Sequence, residues 1–439
     1  MNIKALLIVF SIFCSAIFPF RLAFAQDCTV TKEAILKLRS PVFTSSTVWE
    51  YSIGDEGYEN FVGIVPAHIN ENENESFVLA GHYTEKDKEV YRPFFVKIDN
   101  RGKQVWQKKR PNISNQAIVQ FIKTKTGYIA LSNIKKSKKG TGIALTFLNK
   151  NGDIARDKHI FQSGEKIAAT DITLAQNKKS FLITAHTLGE KSETILYQVN
   201  SKGNIQWKRR YRPGLENSFQ SIKATNNDSY IVSGRIEQED GREAGWLLEL
   251  DPNGAILWQR QFPRGKNATL NEVHSIKGNK KQPQSGYIAL GYATPTDGGH
   301  KGIWIVKTDE TGNIQWQRYY QGNTKLSAGN LIRNNDGLYR LLLGATPAKK
   351  KKGELSVRPY AKILTLSPRG YLMDVESHTS DEGIHPTIMT QSKNGQLVIT
   401  GRIQRSVPNT NDGTLSPSLY DGWFFSTVAS DPYEDPCVP

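Results

Sequence analysis

Polar side chains that could bind or transform a ligand recur at two positions of a repeating pattern in this 439-residue chain. One position directly follows a short apolar run that ends in a small residue, and its occupants are His82, Asn133, His186, Arg235, Tyr292, Ala345 and Arg402. The other lies near the start of the preceding apolar segment, and its occupants are Glu59, Gln116, Asp171, Glu216, Glu272, Asn330 and His385. Carboxylates and amides beside histidine, arginine and tyrosine side chains could form a polar ligand site. The same residue types could instead pair as buried ion pairs and hydrogen bonds that fasten neighbouring repeats together.

Nine of these residues are predicted to bind a ligand at the mouth of a central channel. They are Glu59, His82, Asp171, His186, Glu216, Arg235, Glu272, Tyr292 and Arg402. Two of their carboxylates lying roughly 5–10 Å apart around an open pocket would indicate glycosidase chemistry. Carboxylates that are occluded and paired with cations would favour a binding scaffold instead.

The sequence contains none of the common catalytic or cofactor-binding motifs. Its eight histidines form no His-Glu-x-x-His and no His-x-His pattern, which gives a metal site little support. There is no Gly-x-Ser-x-Gly elbow, no Walker loop and no dinucleotide-binding glycine pattern. The sequence therefore predicts no catalytic residue, no metal ligand and no cofactor.

The elements that must position the polar residues are repeats of four short strands. A run ending in a small residue marks the second strand, at residues 77–81, 128–132, 181–185, 230–234, 287–291, 340–344 and 397–401. A glycine-centred turn precedes the fourth strand roughly every 50–58 residues, at Gly102, Gly152, Gly203, Gly254, Gly312 and Gly370. Four-stranded repeats of this length without helical periodicity are typical of a propeller blade. A β-solenoid is disfavoured because its coils use shorter repeats.

The predicted fold is an all-β, seven-bladed β-propeller of four-stranded antiparallel blades, closed by an N-terminal strand in the last blade. The blades are expected at approximately 58–111, 112–162, 163–212, 213–263, 264–321, 322–376 and 377–430, with the last one completed by 44–53. The seventh repeat stops without a fourth strand, and Trp49 stands in the N-terminal segment where Trp258 stands in its own repeat. Closing the ring in this way leaves no open sheet edge. Residues 31–39, before that segment, are predicted to form a short helix.

The termini indicate export. Residues 1–25 have the pattern of a cleavable signal peptide, with Lys4 before an apolar core and Ala23-Phe24-Ala25 at the end. The mature chain, 26–439, is predicted to be a single extracytoplasmic domain, periplasmic or secreted, without a transmembrane segment; an uncleaved N-terminal anchor is the alternative. Cys28 and Cys437 are then expected to form one disulfide across the ring closure in an oxidising compartment, with two free thiols as the alternative.

The turn and the strand that follows it carry a more specific pattern. Asp-x-x-Gly-x-x-x-Trp occurs at residues 99–106, 251–258 and 309–316. This pattern resembles the tryptophan-docking repeat of quinoprotein-like (PQQ-like) β-propellers, and the resemblance implies that each tryptophan packs against a neighbouring blade. Arg156 and Asp374 replace the tryptophan in two repeats, so those contacts must be built differently. Quinoprotein dehydrogenases of that family commonly have eight blades and an adjacent-cysteine disulfide, whereas this chain has seven repeats and no Cys-Cys pair.

Charge gives the only indication of a partner. The formal net charge is +15, and removing Lys4 and Arg21 with the signal peptide lowers it to +13. Two of the long loops that follow second strands are rich in lysine, at residues 135–139 and 349–352. A basic loop face favours acidic partners, although lysine runs also serve solubility alone. Nucleic acid is not expected, because the lysines are not interleaved with stacking aromatic residues.

The predicted function is that of an exported, non-catalytic binding or assembly scaffold. Its partner would be a protein or an anionic glycan on the basic loop face. The alternatives are a glycan-active lyase or hydrolase and a quinoprotein-like oxidoreductase, each with its site at the channel mouth.

Overall fold

The computed structural model describes residues 32–38, 47–54, 57–68, 74–85, 90–136, 140–161, 164–189, 192–212, 216–278, 285–296, 301–322, 324–334, 337–347, 358–405 and 419–428. The predicted signal peptide, both cysteines of the expected disulfide and most of the two lysine-rich loops lie outside these ranges. Within them every regular element is a β-strand, and no helix is long and apolar enough to cross a membrane.

Two N-terminal strands, β1 (Glu33–Leu38) and β2 (Thr47–Ile53), precede a series of strand groups that we call units 1 to 7. Unit 1 consists of β3 (Tyr58–Pro66), β4 (Ser76–Thr84), β5 (Arg92–Asp99) and β6 (Gln104–Lys109). Unit 2 consists of β7 (Gln116–Lys123), β8 (Gly127–Lys136), β9 (Gly140–Asn149) and β10 (Ile154–Ile160). Unit 3 consists of β11 (Ile167–Leu174), β12 (Ser180–Thr187), β13 (Thr194–Asn200) and β14 (Ile205–Tyr211). Unit 4 consists of β15 (Asn217–Ala224), β16 (Tyr230–Glu237), β17 (Glu243–Leu250) and β18 (Ile256–Pro263). Unit 5 consists of β19 (Asn267–Ile276), β20 (Gly286–Thr294), β21 (Gly302–Thr308) and β22 (Ile314–Gly322). Unit 6 consists of β23 (Thr324–Arg333), β24 (Tyr339–Pro347), β25 (Tyr360–Leu366) and β26 (Leu372–His378). Unit 7 consists of three strands, β27 (Ile384–Gln391), β28 (Leu397–Arg405) and β29 (Leu419–Thr427).

Consecutive strands of each unit pair antiparallel, so the sheet order follows the chain order. The first strands of neighbouring units lie side by side, because β3 packs on β7, β7 on β11, β11 on β15 and β15 on β19. Unit 6 packs on unit 5 through β23, and β27 packs on both β23 and β3. Four-stranded antiparallel sheets repeated in this way define a β-propeller fold.

The apolar core lies between adjacent sheets. The third strands are almost completely buried, as in β21, where every residue is buried, and Trp246 and Trp304 of third strands are inaccessible. The fourth strands expose much of their length, as β18 shows. The middle strands therefore read as continuous apolar runs, while the outer strands carry the charges.

Five of the six turn glycines contact a tryptophan from a strand earlier in the chain. All six predicted turn glycines have positive φ, which only glycine adopts without strain. Five have a tryptophan ring against the place where a Cβ would be: Gly102 with Trp49, Gly152 with Trp106, Gly254 with Trp207, Gly312 with Trp258 and Gly370 with Trp316. The absence of a side chain on the turn is thus what lets each ring reach the next unit.

Arg156 replaces the tryptophan between units 2 and 3 and makes the same connection differently. Its guanidinium lies 4.0 Å from the centroid of the Phe147 ring, and its Nη2 donates to the carbonyl of Ser201 in the next turn. A flat cation stacked on an aromatic ring therefore substitutes for an indole at this position.

Replacing Gly312 by alanine is expected to lower the free energy of unfolding by about 2–3 kcal/mol. Its φ is +82°, and the new Cβ would lie 2.7 Å from Cζ3 of Trp258. Gly241 is the matched control, because its φ is +78° but no atom lies within 4 Å of its Cβ position. Gly241→Ala should cost only about 1 kcal/mol. Equal losses in urea unfolding would show that the tryptophan contact contributes nothing.

The N-terminal strand β2 lies beside the last strand of unit 7. It pairs antiparallel with β29, in a register that runs from Thr47 opposite Thr427 to Ile53 opposite Gly422. The carboxylate of Glu50 accepts a 2.6 Å hydrogen bond from the indole of Trp423, and it lies 3.2 Å from Nε2 of His378 in unit 6. These two contacts attach β2 to both units 6 and 7.

The short helix predicted at residues 31–39 is wrong, since Glu33–Leu38 form the strand β1. It pairs parallel with β22, from Glu33 opposite Gln317 to Leu38 opposite Gly322. An isolated helix of this length is marginal in water, whereas the outer edge of β22 offers unpaired backbone groups. The carboxylate of Glu33 adds a 2.7 Å ion pair to Arg264. The chain therefore passes unit 5 before β2 reaches unit 7.

Candidate functional site

The residues predicted to occupy one repeated first-strand position lie at two different levels of the sheets. Every first strand contains a β-bulge, for example between Phe61 and Gly63 of β3 and between Ala169 and Asp171 of β11. Asp171 and Glu272 directly follow the bulge, whereas Glu59 precedes it. The inserted residue shifts the register, so similar distances along the sequence do not give equivalent positions. The predicted first-strand residues therefore do not share one repeated position in the sheets, and their assignment to a ligand site stays a prediction.

Asp171 is 2% exposed and joins three units. One carboxylate oxygen accepts a 3.0 Å hydrogen bond from Gln120 of unit 2. The other accepts hydrogen bonds from unit 4: 2.9 Å from the hydroxyl of Ser221, 3.0 Å from the backbone of Ile222 and 2.6 Å from Nζ of Lys223. All of its acceptor sites face the protein, so Asp171 fastens units together.

Glu272, which follows the bulge of unit 5, and Asn330, which lies within the bulge of unit 6, make the same kind of bond. Glu272 accepts a 2.8 Å hydrogen bond from the backbone of Leu331 in unit 6 and lies 2.7 Å from Nε2 of His274. Asn330 exchanges hydrogen bonds with the backbone of Met389 in unit 7. Asp171, Glu272 and Asn330 therefore form what we call the belt, a set of hydrogen bonds at the level of the bulges that join neighbouring units.

The remaining predicted carboxylates are more scattered. Glu59 is 1% exposed and lies 3.9 Å from Nζ of Lys109. Glu216 is half-buried just before β15, where its backbone carbonyl accepts a hydrogen bond from Glu237. Neither lies in the belt with Asp171.

Of the second-strand residues, Tyr292 and Asn133 also connect units. The hydroxyl of Tyr292 accepts a 2.7 Å hydrogen bond from the backbone of Ala328 in unit 6, and burial raises the pKa of that phenol. Asn133 exchanges hydrogen bonds with the backbone of Ala169 in unit 3. Both side chains are occupied by structural contacts.

His186 and Arg235 meet where unit 3 packs on unit 4. Burial, and then the positive charge of Arg235, lower the pKa of His186. Arg235 forms an ion pair with Glu243 and donates to Ser218. The guanidinium is therefore already matched by a carboxylate.

A different arrangement occurs where unit 7 meets unit 1, in a group that we call the seam cluster. Its members are Tyr58, His82, Tyr91, His385, Arg402 and Tyr420. The guanidinium of Arg402 lies beside two tyrosine rings that meet edge to face, 5.6 Å from the centroid of Tyr58 and 5.0 Å from that of Tyr420. Its Nη1 donates a 2.9 Å hydrogen bond to the hydroxyl of Tyr58. The start of β3, the end of β28 and the start of β29 bring these three side chains together.

Two histidines flank this cation. The ring of His82 stacks on Tyr58 with centroids 6.3 Å apart, and the ring of His385 meets Tyr420 edge to face at 5.6 Å. Burial, and then repulsion from Arg402, lower the pKa of both His82 and His385 to about 4. Both imidazoles are therefore neutral near pH 7.

Three buried nitrogen atoms of the seam cluster have no hydrogen-bond partner among the described residues. They are Nδ1 of His82, Nε2 of His385 and Nε of Arg402. Buried polar groups are normally satisfied, so such a concentration of unsatisfied atoms calls for a partner from outside the described chain. Of the nine predicted ligand residues, the seam cluster contains His82 and Arg402.

The pKa of His82 makes stability depend on pH. The unfolded state takes up a proton as the pH falls through 6.5, while the buried ring stays neutral until about pH 4. Lowering the pH over this range therefore stabilises the unfolded state relative to the folded state. Because His82 is only 9% exposed, we expect it to account for about 2 kcal/mol of the stability lost between pH 7 and pH 4.5. His82→Gln should remove that share of the pH dependence in urea titrations, and His68→Gln, at a less buried ring, should remove less. An unchanged slope for His82→Gln would contradict this assignment.

An open groove of about 390 Å³ lies in unit 3, away from the seam cluster. Glu165, Glu193 and Arg212 line it, and Arg210 forms ion pairs with both carboxylates. Arg212 also lies 2.8 Å from Glu193. These charges neutralise one another, and none of the nine predicted residues lines this groove.

Sequence patterns singled out His82 and Arg402 but not the tyrosines around them. Tyr58 and Tyr420 stand at the starts of β3 and β29 and have no counterpart that repeats from unit to unit. The sequence does place Tyr58 directly before the predicted ligand residue Glu59. Tyr58 reaches Arg402, however, only because units 1 and 7 are neighbours in the fold.

No family model matches the chain, and no curated protein matches it. Among solved structures, Sqt1 from Chaetomium thermophilum is 11% identical over 89% of this chain and 100% of that chain, with a TM-score of 0.46. The periplasmic gluconolactonase PpgL of Pseudomonas aeruginosa is 9% identical over 85% of this chain and 100% of its own, with a TM-score of 0.48. The β-propeller domain of the trilobed protease from Pyrococcus furiosus is 10% identical over the same two shares, with a TM-score of 0.42. All three TM-scores are below 0.5, and the strand pairing by itself defines the β-propeller fold.

Proposed function

We propose that this chain is an exported, seven-bladed β-propeller that acts as a non-catalytic binding scaffold for an anionic partner, an anionic glycan in particular. The observation that carries the proposal is the seam cluster: a half-buried arginine beside two tyrosines, flanked by neutral histidines, with three nitrogen atoms unsatisfied among the described residues. An acidic group is the natural complement of this arrangement.

In the proposed ring, units 1 to 7 are the blades and β2 is the fourth strand of the last one. The antiparallel pairing of β2 with β29 supports this assignment. So does the position of Trp49, which lies against Gly102 of unit 1 as the other docked tryptophans lie against the glycines of their next units. Closure would bring Tyr58 and Arg402, from opposite ends of the chain, into one site.

The surroundings of the acids support a non-catalytic role. A glycosidase needs a carboxylate that can reach its substrate. Asp171 is bonded on both oxygens, and Glu272 is bonded to Leu331 and His274. Acids that hold units together in this way are not available to transfer protons to a ligand.

Retention on anionic polysaccharide matrices tests the proposal. We expect the mature protein to bind carboxylated, sulfated or phosphorylated matrices more tightly than neutral ones, and to elute with salt. A net charge of +13 retains the protein in part on any anionic matrix, so the specific share is read from the variants: Arg402→Gln should elute at a clearly lower salt concentration than Arg235→Gln, which carries the same net charge. Arg235→Gln is the matched control, because Arg235 occupies the corresponding second-strand position but already pairs with Glu243. Equal retention of the two folded variants would refute the proposal.

A further inference from the structure

We infer that the seam cluster binds the carboxylate of an acidic sugar, a uronic acid residue of a glycan. This inference rests on the proposed function and narrows its ligand from any anionic group to one class of sugar.

One edge of the Arg402 guanidinium makes no hydrogen bond to the described residues. Nη1 is engaged with the hydroxyl of Tyr58, and the rings of Tyr58 and Tyr420 lie beside the guanidinium. Nε has no partner among the described residues, and it shares an edge of the guanidinium with Nη2. Two parallel N–H groups on that edge match the two oxygens of a planar carboxylate.

The charges around the cluster favour a ligand with a single negative charge. Arg402 supplies one positive charge, because His82 and His385 are neutral near pH 7. The nearby ionised groups already have partners: Arg405 lies 2.9 Å from Asp421, Arg92 lies 3.5 Å from Glu85, and Lys109 lies 3.9 Å from Glu59. A carboxylate would be neutralised by Arg402, whereas a phosphate monoester would bring a second charge into a half-buried site without a counterion.

The histidines and Tyr91 complete a surface suited to a sugar ring. Nδ1 of His82 can accept from a hydroxyl group, because the other nitrogen of that neutral ring donates to the backbone of Ile118, and Nε2 of His385 can donate or accept, depending on the tautomer. Tyr91 is 41% exposed, and its ring stands nearly perpendicular to His82, with centroids 5.1 Å apart. An exposed aromatic face beside hydroxyl-binding nitrogens offers contacts to both the C–H and the O–H groups of a sugar.

Calorimetric titration of the full mature protein with trisaccharides tests the inference. The probes are the homotrimers of galacturonate, glucuronate, mannuronate and guluronate, each beside its methyl ester, which keeps the shape but removes the charge. At least one uronate trimer should bind tenfold or more tightly than its ester. Arg402→Gln should weaken that binding at least 30-fold and Arg402→Lys at least tenfold, because lysine cannot form the two-pronged contact. Arg235→Gln should leave it unchanged.

Tyr91→Ala keeps the test decisive if the Arg402 variants fail to fold. The exposed ring contributes little to the core, so this variant should fold and should bind the uronate about five- to tenfold more weakly. If no uronate trimer binds better than its ester, the inference is overturned. If sulfated or phosphorylated matrices still retain the protein through Arg402, the proposed function survives that failure. If Arg402→Gln changes no anionic retention, both fail.

Discussion

Replacing Asp171 by alanine is expected to lower the free energy of unfolding by about 3–5 kcal/mol, the range for breaking a buried, hydrogen-bonded ion pair. The side chain is 2% exposed and accepts hydrogen bonds from units 2 and 4. Its removal leaves the ammonium of Lys223 without its 2.6 Å partner and the backbone N–H of Ile222 without an acceptor. Asp171→Asn keeps the shape and part of the hydrogen bonding, so it should cost about 1–3 kcal/mol.

Chemical unfolding measured against Asp240→Ala checks this expectation. Asp240 forms an ion pair with Arg242, but both side chains are about half exposed, and such surface pairs contribute little to stability. A similar small loss for both variants would mean that Asp171 does not hold the units together. Its prediction as a ligand residue would then regain support.

Proline substitutions in β2 are expected to lower the free energy of unfolding by about 3 kcal/mol or more, because proline removes a donor and distorts the strand. Adjacent residues of an edge strand point their N–H groups to opposite sides. Of Tyr51→Pro and Ser52→Pro, one must therefore break a hydrogen bond to β29, where these residues face Phe424 and Trp423. That variant should unfold at markedly lower urea concentration.

The same substitutions in β1 are the control. Ala34→Pro and Ile35→Pro disturb a strand that lies outside the four strands of unit 5 and leaves Ile35 61% exposed. They should cost about 1 kcal/mol or less, since an appended edge tolerates proline. If β1 and β2 prove equally sensitive, β2 has no special role in closing the ring. If both prove insensitive, the closure itself is contradicted.

Part of the basic character predicted to attract partners is structural. The residue two places after a docked tryptophan is a cation in several units, and its stem packs on the ring. Nζ of Lys108 lies 4.9 Å from the Trp106 ring centroid and donates to the carbonyl of Asn151 in the next turn. Arg318 lies 5.2 Å from the Trp316 ring and donates a 2.7 Å hydrogen bond to the carbonyl of Gly370. Net charge alone cannot separate such cations from those that meet a partner.

The strands, their order and the turns between them could be predicted from the sequence, because each depends on local patterns. A glycine such as Gly254 indicates a positive φ wherever it lies in the fold, and the spacing to Trp258 places the ring on the following strand. The exception, β1, was predicted as a helix because its pairing partner lies almost three hundred residues away on β22.

A repeated, four-stranded all-β architecture and a set of polar residues at recurrent positions thus follow from the amino-acid sequence. Which of those residues come into contact depends on how the units pack in three dimensions. The bulge in β11 places Asp171 among the residues that bond neighbouring units together, and Arg235 forms an ion pair with the carboxylate of Glu243. Arg402, at an equivalent position, meets Tyr58 from the other end of the chain instead. The physical reason is that the partners of each side chain lie largely in a neighbouring unit. The residue types within one unit therefore do not show which partners the side chain will have.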